Sequence, residues 1–209
     1  MSRLKSMIEP TYPLLSISRL RMETDGEGVT TLVAGAGCGL ECRYCINKEI
    51  LLTAPEPVTA AELYERVKID DLYFQATGGG VTFGGGEALL HSDFIAAFHG
   101  LCADRWKLYA ETALFVPPEA VVTAAKCIDS FIVDIKSMDP DVYRRYTGQD
   151  NRIVCENLRR LIDLVGPERV RIKIPRIPGF HTDEDRERSA RIAREMGYTN
   201  IEFLDYTVK

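Results

Sequence analysis

Three cysteines, Cys38, Cys42 and Cys45, fall within the stretch "GAGCGLECRYCINKEI", whereas Cys102, Cys127 and Cys155 stand alone. Thiols packed this closely in a chain without an evident export signal point to metal or redox use rather than to disulfides. A closed zinc site usually takes two separated Cys/His pairs. No second pair follows here, and His91, His99 and His181 lie outside any zinc-like spacing. Iron–sulfur clusters normally use four cysteines, so three on one tight loop suit a single cubane whose fourth iron keeps an exchangeable ligand. Three reduced thiols, or zinc with a distant fourth ligand, are the alternatives.

The second chemical signal is "TGGGVTFGGGE" (residues 77–87). Glycine-rich turns at strand ends let a backbone take positive φ or approach a ligand closely. A phosphate-binding loop is excluded by the lack of the Walker lysine and of a helix start at the right offset. Alone, the run is as compatible with a bare tight turn as with a ligand site.

These residues need elements to position them. Short β-branched runs alternate with amphipathic helical patterns from residue 29 onward. Strands are expected at 29–34, 80–83, 106–111, 130–136, 169–177 and 200–207. Helices are expected at 59–75, with a Thr59/Glu62 capping box, at 92–102 capped by Ser92, at 117–127, 139–148, 151–165 and 182–197. Six βα units imply a parallel sheet with right-handed crossovers. They are too few for a closed eight-stranded barrel, so the expected fold is α/β, an open partial (β/α)6 barrel over residues 29–209. Residues 1–28 are expected to form a hairpin or flap across it, with one domain overall.

In such barrels chemistry sits at the C-terminal ends of the strands. There the sequence places the cysteines, Gly84 to Glu87, Glu111 with Thr112, Asp134 with Lys136, Lys173, and Asp205 with Tyr206. Cys102, Cys127 and Cys155 lie on apolar helix faces, where inert thiols are the default. The run "DEDRERSARIARE" reads as a solvated helix.

Composition narrows the function classes. The chain of 209 residues is 45% hydrophobic, with a net charge of −5 and mixed signs. It has no long basic run to neutralise phosphates, which argues against nucleic acid as a partner. The N-terminus lacks an unbroken apolar stretch and nothing approaches the ~20 apolar residues of a membrane span. A cytoplasmic protein is expected.

"CGLECRYC" resembles the CxxxCxΦC motif (Φ an aromatic) of the radical S-adenosylmethionine (SAM) enzymes, and "VTFGGGE" is similar to their second-strand GGE motif. The match is closest to the activases of glycyl radical enzymes. "TDGEGVTTLVAGAGC", "FIVDIKSMD", "YTGQDN" and "IPGF" agree with it, so the resemblance covers roughly residues 16–207. It implies a (β/α)6 partial barrel working anaerobically. Cys38, Cys42 and Cys45 would bind one 4Fe–4S cluster and form the catalytic set. Tyr44 would pack near the adenine of SAM. Asn47 is retained, and Gly85, Gly86 and Glu87 would meet the methionine amino group. Glu111, Thr112 and Asp134 match a polar set that can hold a monovalent cation near the SAM carboxylate. Lys136 and Lys173 would face the carboxylate or ribose.

The implied reaction is reductive SAM cleavage to a 5′-deoxyadenosyl radical that takes hydrogen from a glycine Cα on a partner enzyme. A flavodoxin- or ferredoxin-type protein would supply the electron. The alternatives are radical chemistry on a small molecule or peptide, and a non-catalytic iron–sulfur or zinc protein. Several positions depart from the activase pattern. Ile46 replaces a histidine and Gly84 a serine. Glu111-Thr112-Ala113-Leu114 stands for Asp-Thr-Asn-Gly. Val29 and Thr30 stand where an arginine is expected, and Asp205-Tyr206-Thr207 replaces Pro-Tyr-His.

Overall fold

The computed structural model describes residues 9–22 and 24–205. Eight strands form one sheet in the order β3-β1-β2-β4-β5-β6-β7-β8. They are β1 (Tyr12–Met22), β2 (Val29–Gly35), β3 (Glu56–Val58), β4 (Gly80–Gly85), β5 (Lys107–Thr112), β6 (Ser130–Asp134), β7 (Val170–Arg176) and β8 (Ile201–Asp205). From β2 through β8 every neighbouring pair is parallel. These six are the strands that the alternating pattern predicted, and their helices pack outside the sheet. The helices are α1 (Lys48–Leu51), α2 (Ala60–Val67), α3 (Asp71–Thr77), α4 (Ser92–Cys102), α5 (Pro118–Ala124), α6 (Pro140–Thr147), α7 (Arg152–Val165) and α8 (Asp183–Glu195).

Of the hairpin or flap expected before residue 29, the described residues form one arm of an antiparallel hairpin with β2. That arm, β1, pairs along β2 and carries β3 on its other side. It belongs to the sheet because Tyr12 and Leu14 alternate into the core, and the Tyr12 hydroxyl donates to the Val33 carbonyl at 3.3 Å. The far half of β1 carries Arg19 and Arg21, which mutes the alternation that would have marked it as a strand.

Two helix expectations change. The pattern over 59–75 breaks into α2 and α3 at a 3-10 turn, Lys68–Asp70. Asp70 is fully buried and accepts from the Arg19 guanidinium and, at 2.8 Å, from the Thr31 hydroxyl. That tertiary demand fixes its position and overrides the continuous helix. The Thr59/Glu62 capping box forms as expected. Ser92 is not a cap, because α4 continues a 3-10 turn, Ala88–His91, whose N-cap is Glu87.

The outer core is aromatic. Phe83 on β4 meets Phe98 of α4 edge-on at 5.5 Å, and Tyr64 stacks on Trp106 at 4.9 Å. Trp106 also donates its indole N–H to Asp71 at 2.6 Å. Such contacts seat α2, α3 and α4 against the sheet and leave the C-terminal strand ends free for other work.

Candidate active site

The cysteine loop follows β2 and is clamped from two sides. On one side the Gly86 N–H donates to the Gly35 carbonyl at 2.9 Å and the Glu87 N–H to the Gly37 carbonyl at 2.7 Å. The Asn47 side-chain amide donates to the Gly85 carbonyl at 2.7 Å. On the other side the N–H groups of Glu41 and Arg43 donate to the carbonyls of Thr147 and Tyr146 at the end of α6. His91 anchors the start of the loop through Nε2 to the Ala36 carbonyl at 2.8 Å. The glycine run is thus the seat of the cysteine loop as well as a wall of the site. Gly85 has φ +91°, and a Cβ on Gly86 would come within 2.2 Å of the Gly37 carbonyl oxygen.

The cysteines and strand ends enclose a cleft of about 410 Å³, within the range of small-molecule sites. Of the thirteen residues the sequence proposed, twelve line it: Cys38, Cys42, Cys45, Asn47, Gly85, Gly86, Glu87, Glu111, Thr112, Asp134, Lys136 and Lys173. Tyr44 is the exception. It is 37% exposed and its ring packs outside the cleft, against Phe180 at 5.9 Å and Tyr146 at 6.5 Å. Leu40, Tyr146 and Leu204, which the sequence did not single out, also line it, as do Ile46 and Ala113, which it noted only as departures from the activase pattern. Apolar wall residues carry no chemical signature, although Tyr146 opens the "YTGQDN" motif. Asp205 lines the cleft too, while Tyr206 and Thr207 lie outside the described residues.

Glu87 is 2% exposed. Its carboxylate accepts from the Thr112 hydroxyl, from the Ala113 N–H at 2.9 Å and from the Leu89 N–H at 3.2 Å. Burial pushes its pKa up, while Thr112 and the backbone N–H groups oppose the rise. Thr112 in turn accepts from the Leu114 N–H at 2.8 Å. Leu114 has φ +58°, a region that costs a leucine of order 1 kcal/mol or more, and it stands where the resemblance expects glycine. Glu87 therefore holds the turn after β5 as well as facing the cleft. Replacing it by Gln puts an amide N–H₂ among donors, and the expected cost is about 2–3 kcal/mol. Chemical denaturation of Glu87→Gln at pH 7 checks this, and an unchanged midpoint would remove the structural role.

The remaining polar residues pair at the strand ends. Lys136, 9% exposed, reaches Asp134 at 3.1 Å, and Lys173 lies 3.9 Å from Glu111. Each carboxylate of the expected cation set has a lysine ammonium nearby, and the Thr112 hydroxyl donates to Glu87. Burial raises the Glu111 pKa to about 7, with Asp25 adding to the rise and Lys173 opposing it. The unfolded chain ionises this group near its ordinary value of 4.5, so its contribution to stability falls as pH rises from about 4.5 to about 7 and is level above. Glu111→Gln is expected to flatten the pH profile of unfolding over that window. An identical profile would contradict this assignment.

All three loop cysteines are free thiols. Burial raises the pKa of Cys38 and pushes that of Cys42 up to about 11, against the pull of Lys136. Among the described residues no three Cys, His, Asp or Glu side chains converge as they would on a single ion. The donor set, its clamped loop and the adjoining cleft fit a three-cysteine cluster with a small molecule beside it.

The family comparison agrees with this geometry. The Radical SAM superfamily profile matches residues 32–193. The chain belongs to the radical SAM superfamily. Its relatives include an indoleacetate decarboxylase activating enzyme of Tractidigestivibacter scatoligenes, 33% identical over 79% of this chain and 53% of the relative. A choline trimethylamine-lyase activating enzyme of Oleidesulfovibrio alaskensis is 31% identical over 86% of this chain and 76% of the relative. The radical SAM chain thus spans about half the length of the first and three quarters of the second. Among solved structures, Streptococcus suis SuiB bound to S-adenosylmethionine superposes with a TM-score of 0.63 at 14% identity, covering 81% of this chain and 38% of SuiB. That likeness shows a shared fold.

Proposed function

We propose that this radical SAM chain binds one 4Fe–4S cluster through Cys38, Cys42 and Cys45, cleaves SAM reductively, and installs a glycyl radical on a partner enzyme. The reading rests above all on the three loop thiols and the polar strand ends sharing one cleft, and on relatives that are named activating enzymes. The bound cluster supplies one electron to the sulfonium of SAM, whose S–C5′ bond breaks to methionine and a 5′-deoxyadenosyl radical able to take hydrogen from a glycine Cα.

The chain's own residues bind and orient. Backbone groups of Gly85 and Gly86, held against the cysteine loop, would take the methionine amino group, and Asn47 fixes that backbone through the Gly85 carbonyl. Lys136 and Lys173, which line the cleft, would face the SAM carboxylate or ribose. Buried Glu87 keeps the turn after β5 in place. A second cavity of about 600 Å³ between β1 and the β7–β8 edge shares Ile46, Asn47, Gly85, Glu111, Lys173 and Leu204 with the cleft. It offers room for a polypeptide segment that brings glycine to the radical. Among the described residues no helix is long and apolar enough to cross a membrane, and reduced thiols suit the cytoplasm with a flavodoxin- or ferredoxin-type donor.

The test is anaerobic. The cluster is reconstituted, SAM and dithionite are added, and 5′-deoxyadenosine and methionine are quantified. The expected result is equimolar products and, with a glycyl radical enzyme present, a doublet in electron paramagnetic resonance. An intact cluster without SAM cleavage would sink the reading. Cleavage with no doublet from any candidate partner would shift it to small-molecule or peptide chemistry.

A further inference from the structure

Tyr143 of α6 is 1% exposed, and among the described residues its hydroxyl has no hydrogen-bond partner. Buried hydroxyls are almost always paired, because a polar group stripped of water and left bare costs free energy. Tyr12 and Tyr198 show the usual solution. Their hydroxyls donate to the carbonyls of Val33 at 3.3 Å and Leu158 at 2.7 Å.

The clamp on the cysteine loop sets where this hydroxyl lies. The N–H groups of Glu41 and Arg43 donate to the carbonyls of Thr147 and Tyr146 at 2.9 and 3.1 Å, which lays the loop over the last turn of α6. Tyr143 sits one turn back on the same face as Tyr146, and Tyr146 lines the cleft. The Thr147 hydroxyl ties the two turns together by donating to the Tyr143 carbonyl at 2.8 Å. Burial raises the Tyr143 pKa, Cys42 adds to the rise and Lys136 opposes it, with Glu87 and Cys38 adding less. The polar end of the ring is therefore within electrostatic reach of the loop thiols and sealed from water. A neutral thiol is a weak acceptor, whereas a thiolate accepts an O–H strongly.

We propose that Tyr143 is a positioning residue whose hydroxyl donates to the Cys42 sulfur once that sulfur is a ligating thiolate, and that it thereby raises the reduction potential of the cluster. This inference rests on the cluster reading above. A hydrogen bond to ligand sulfur favours the more negative, reduced state, and such bonds are among the protein's means of setting a cluster's potential. The hydroxyl keeps its proton throughout. The same bond holds Cys42 in its ligating orientation, so the group that lacks a partner beside free thiols gains one when the site is loaded.

The experiment compares Tyr143→Phe, which removes only the bare hydroxyl, with Tyr198→Phe, which removes a bonded one far from the thiols. Chemical denaturation is measured on the cluster-free proteins. On the reconstituted proteins, iron release to a chelator is timed and the midpoint potential is found by anaerobic redox titration followed by electron paramagnetic resonance. Cluster-free Tyr143→Phe is expected to be as stable as the unmodified protein or more so. Once loaded, it should release iron about tenfold faster. At a fixed poise it should hold about tenfold less reduced cluster, a fall of about 59 mV for a one-electron couple. Tyr198→Phe should lose stability and leave the potential where it was. Iron release and potential unchanged in Tyr143→Phe would overturn the inference, whatever the affinity for SAM. A cluster-free Tyr143→Phe destabilised as much as Tyr198→Phe would also overturn it, because the hydroxyl would then be paired without the cluster. An unmodified protein that loads no cluster would overturn the cluster reading itself, and this inference with it.

Discussion

Cys42→Ala is expected to leave a folded protein that retains no stable 4Fe–4S cluster and produces no detectable 5′-deoxyadenosine. The cluster reading has only three protein ligands, so losing one leaves too few thiolates to hold it. Cys42 belongs to the loop rather than to the hydrophobic core, and the loop is seated by backbone hydrogen bonds that the substitution spares. Cys102 makes the opposite comparison. It is fully buried in the core cluster formed by the helices and sheet, so Cys102→Ala should cost roughly 1–3 kcal/mol through the cavity it opens while leaving iron and sulfide content unchanged. Iron analysis and a thermal melt on both variants separate chemistry from packing. A Cys42→Ala protein with full iron content would remove that residue from the ligand set. A Cys102→Ala protein that loses the cluster without losing stability would mean a ligand had been missed.

The parts of the fold that were legible in the sequence were those driven by burial. The central strands β4 and β6 are largely buried on both faces and read as short apolar runs, as in Phe131, Ile132 and Val133 of β6, while β7 alternates buried Val170, Ile172 and Ile174 with Arg171 and Lys173. The parts that were not legible are set by single long-range contacts. Arg19, 51 positions before its partner Asp70, has no local signature, yet it helps to break one helix into two. The site shows the same division. Residue types and spacing brought Cys38, Cys42, Cys45 and the polar strand ends to one mouth. They could not show that Glu87 also holds the turn after β5, because its partners Thr112 and Ala113 lie some 25 residues away. Nor could they show that Tyr44 turns toward Phe180, a contact set by where the loop after β7 packs.

Gly86 is where fold and chemistry are least separable, and Gly86→Ala carries the second large expected effect. A Cβ there would meet the Gly37 carbonyl oxygen at 2.2 Å and the Gly35 carbonyl oxygen at 3.1 Å. Both are backbone atoms, so neither can rotate away as a side chain would. Moving Gly37 breaks its bond from the Glu87 N–H, and moving Gly86 breaks its own bond to Gly35. Either shift displaces the start of the cysteine loop relative to β4. The expected cost is about 2–4 kcal/mol, from overpacking and a lost backbone bond together, with cluster incorporation well below that of the unmodified protein. Gly84→Ser is the matched comparison. A Cβ at Gly84 meets the far ends of side chains, Glu111 Oε2 at 2.9 Å and Leu32 Cδ1 at 3.0 Å. Side-chain ends can move aside, and the resemblance places serine at that position. Gly84→Ser should therefore stay within about 1 kcal/mol of the unmodified protein and load iron normally. If the two variants behaved alike, both stable and both iron-loaded, the glycine run would not be what seats the cysteine loop. Gly86 would then have to be explained by the ligand alone, through close approach of SAM to its backbone.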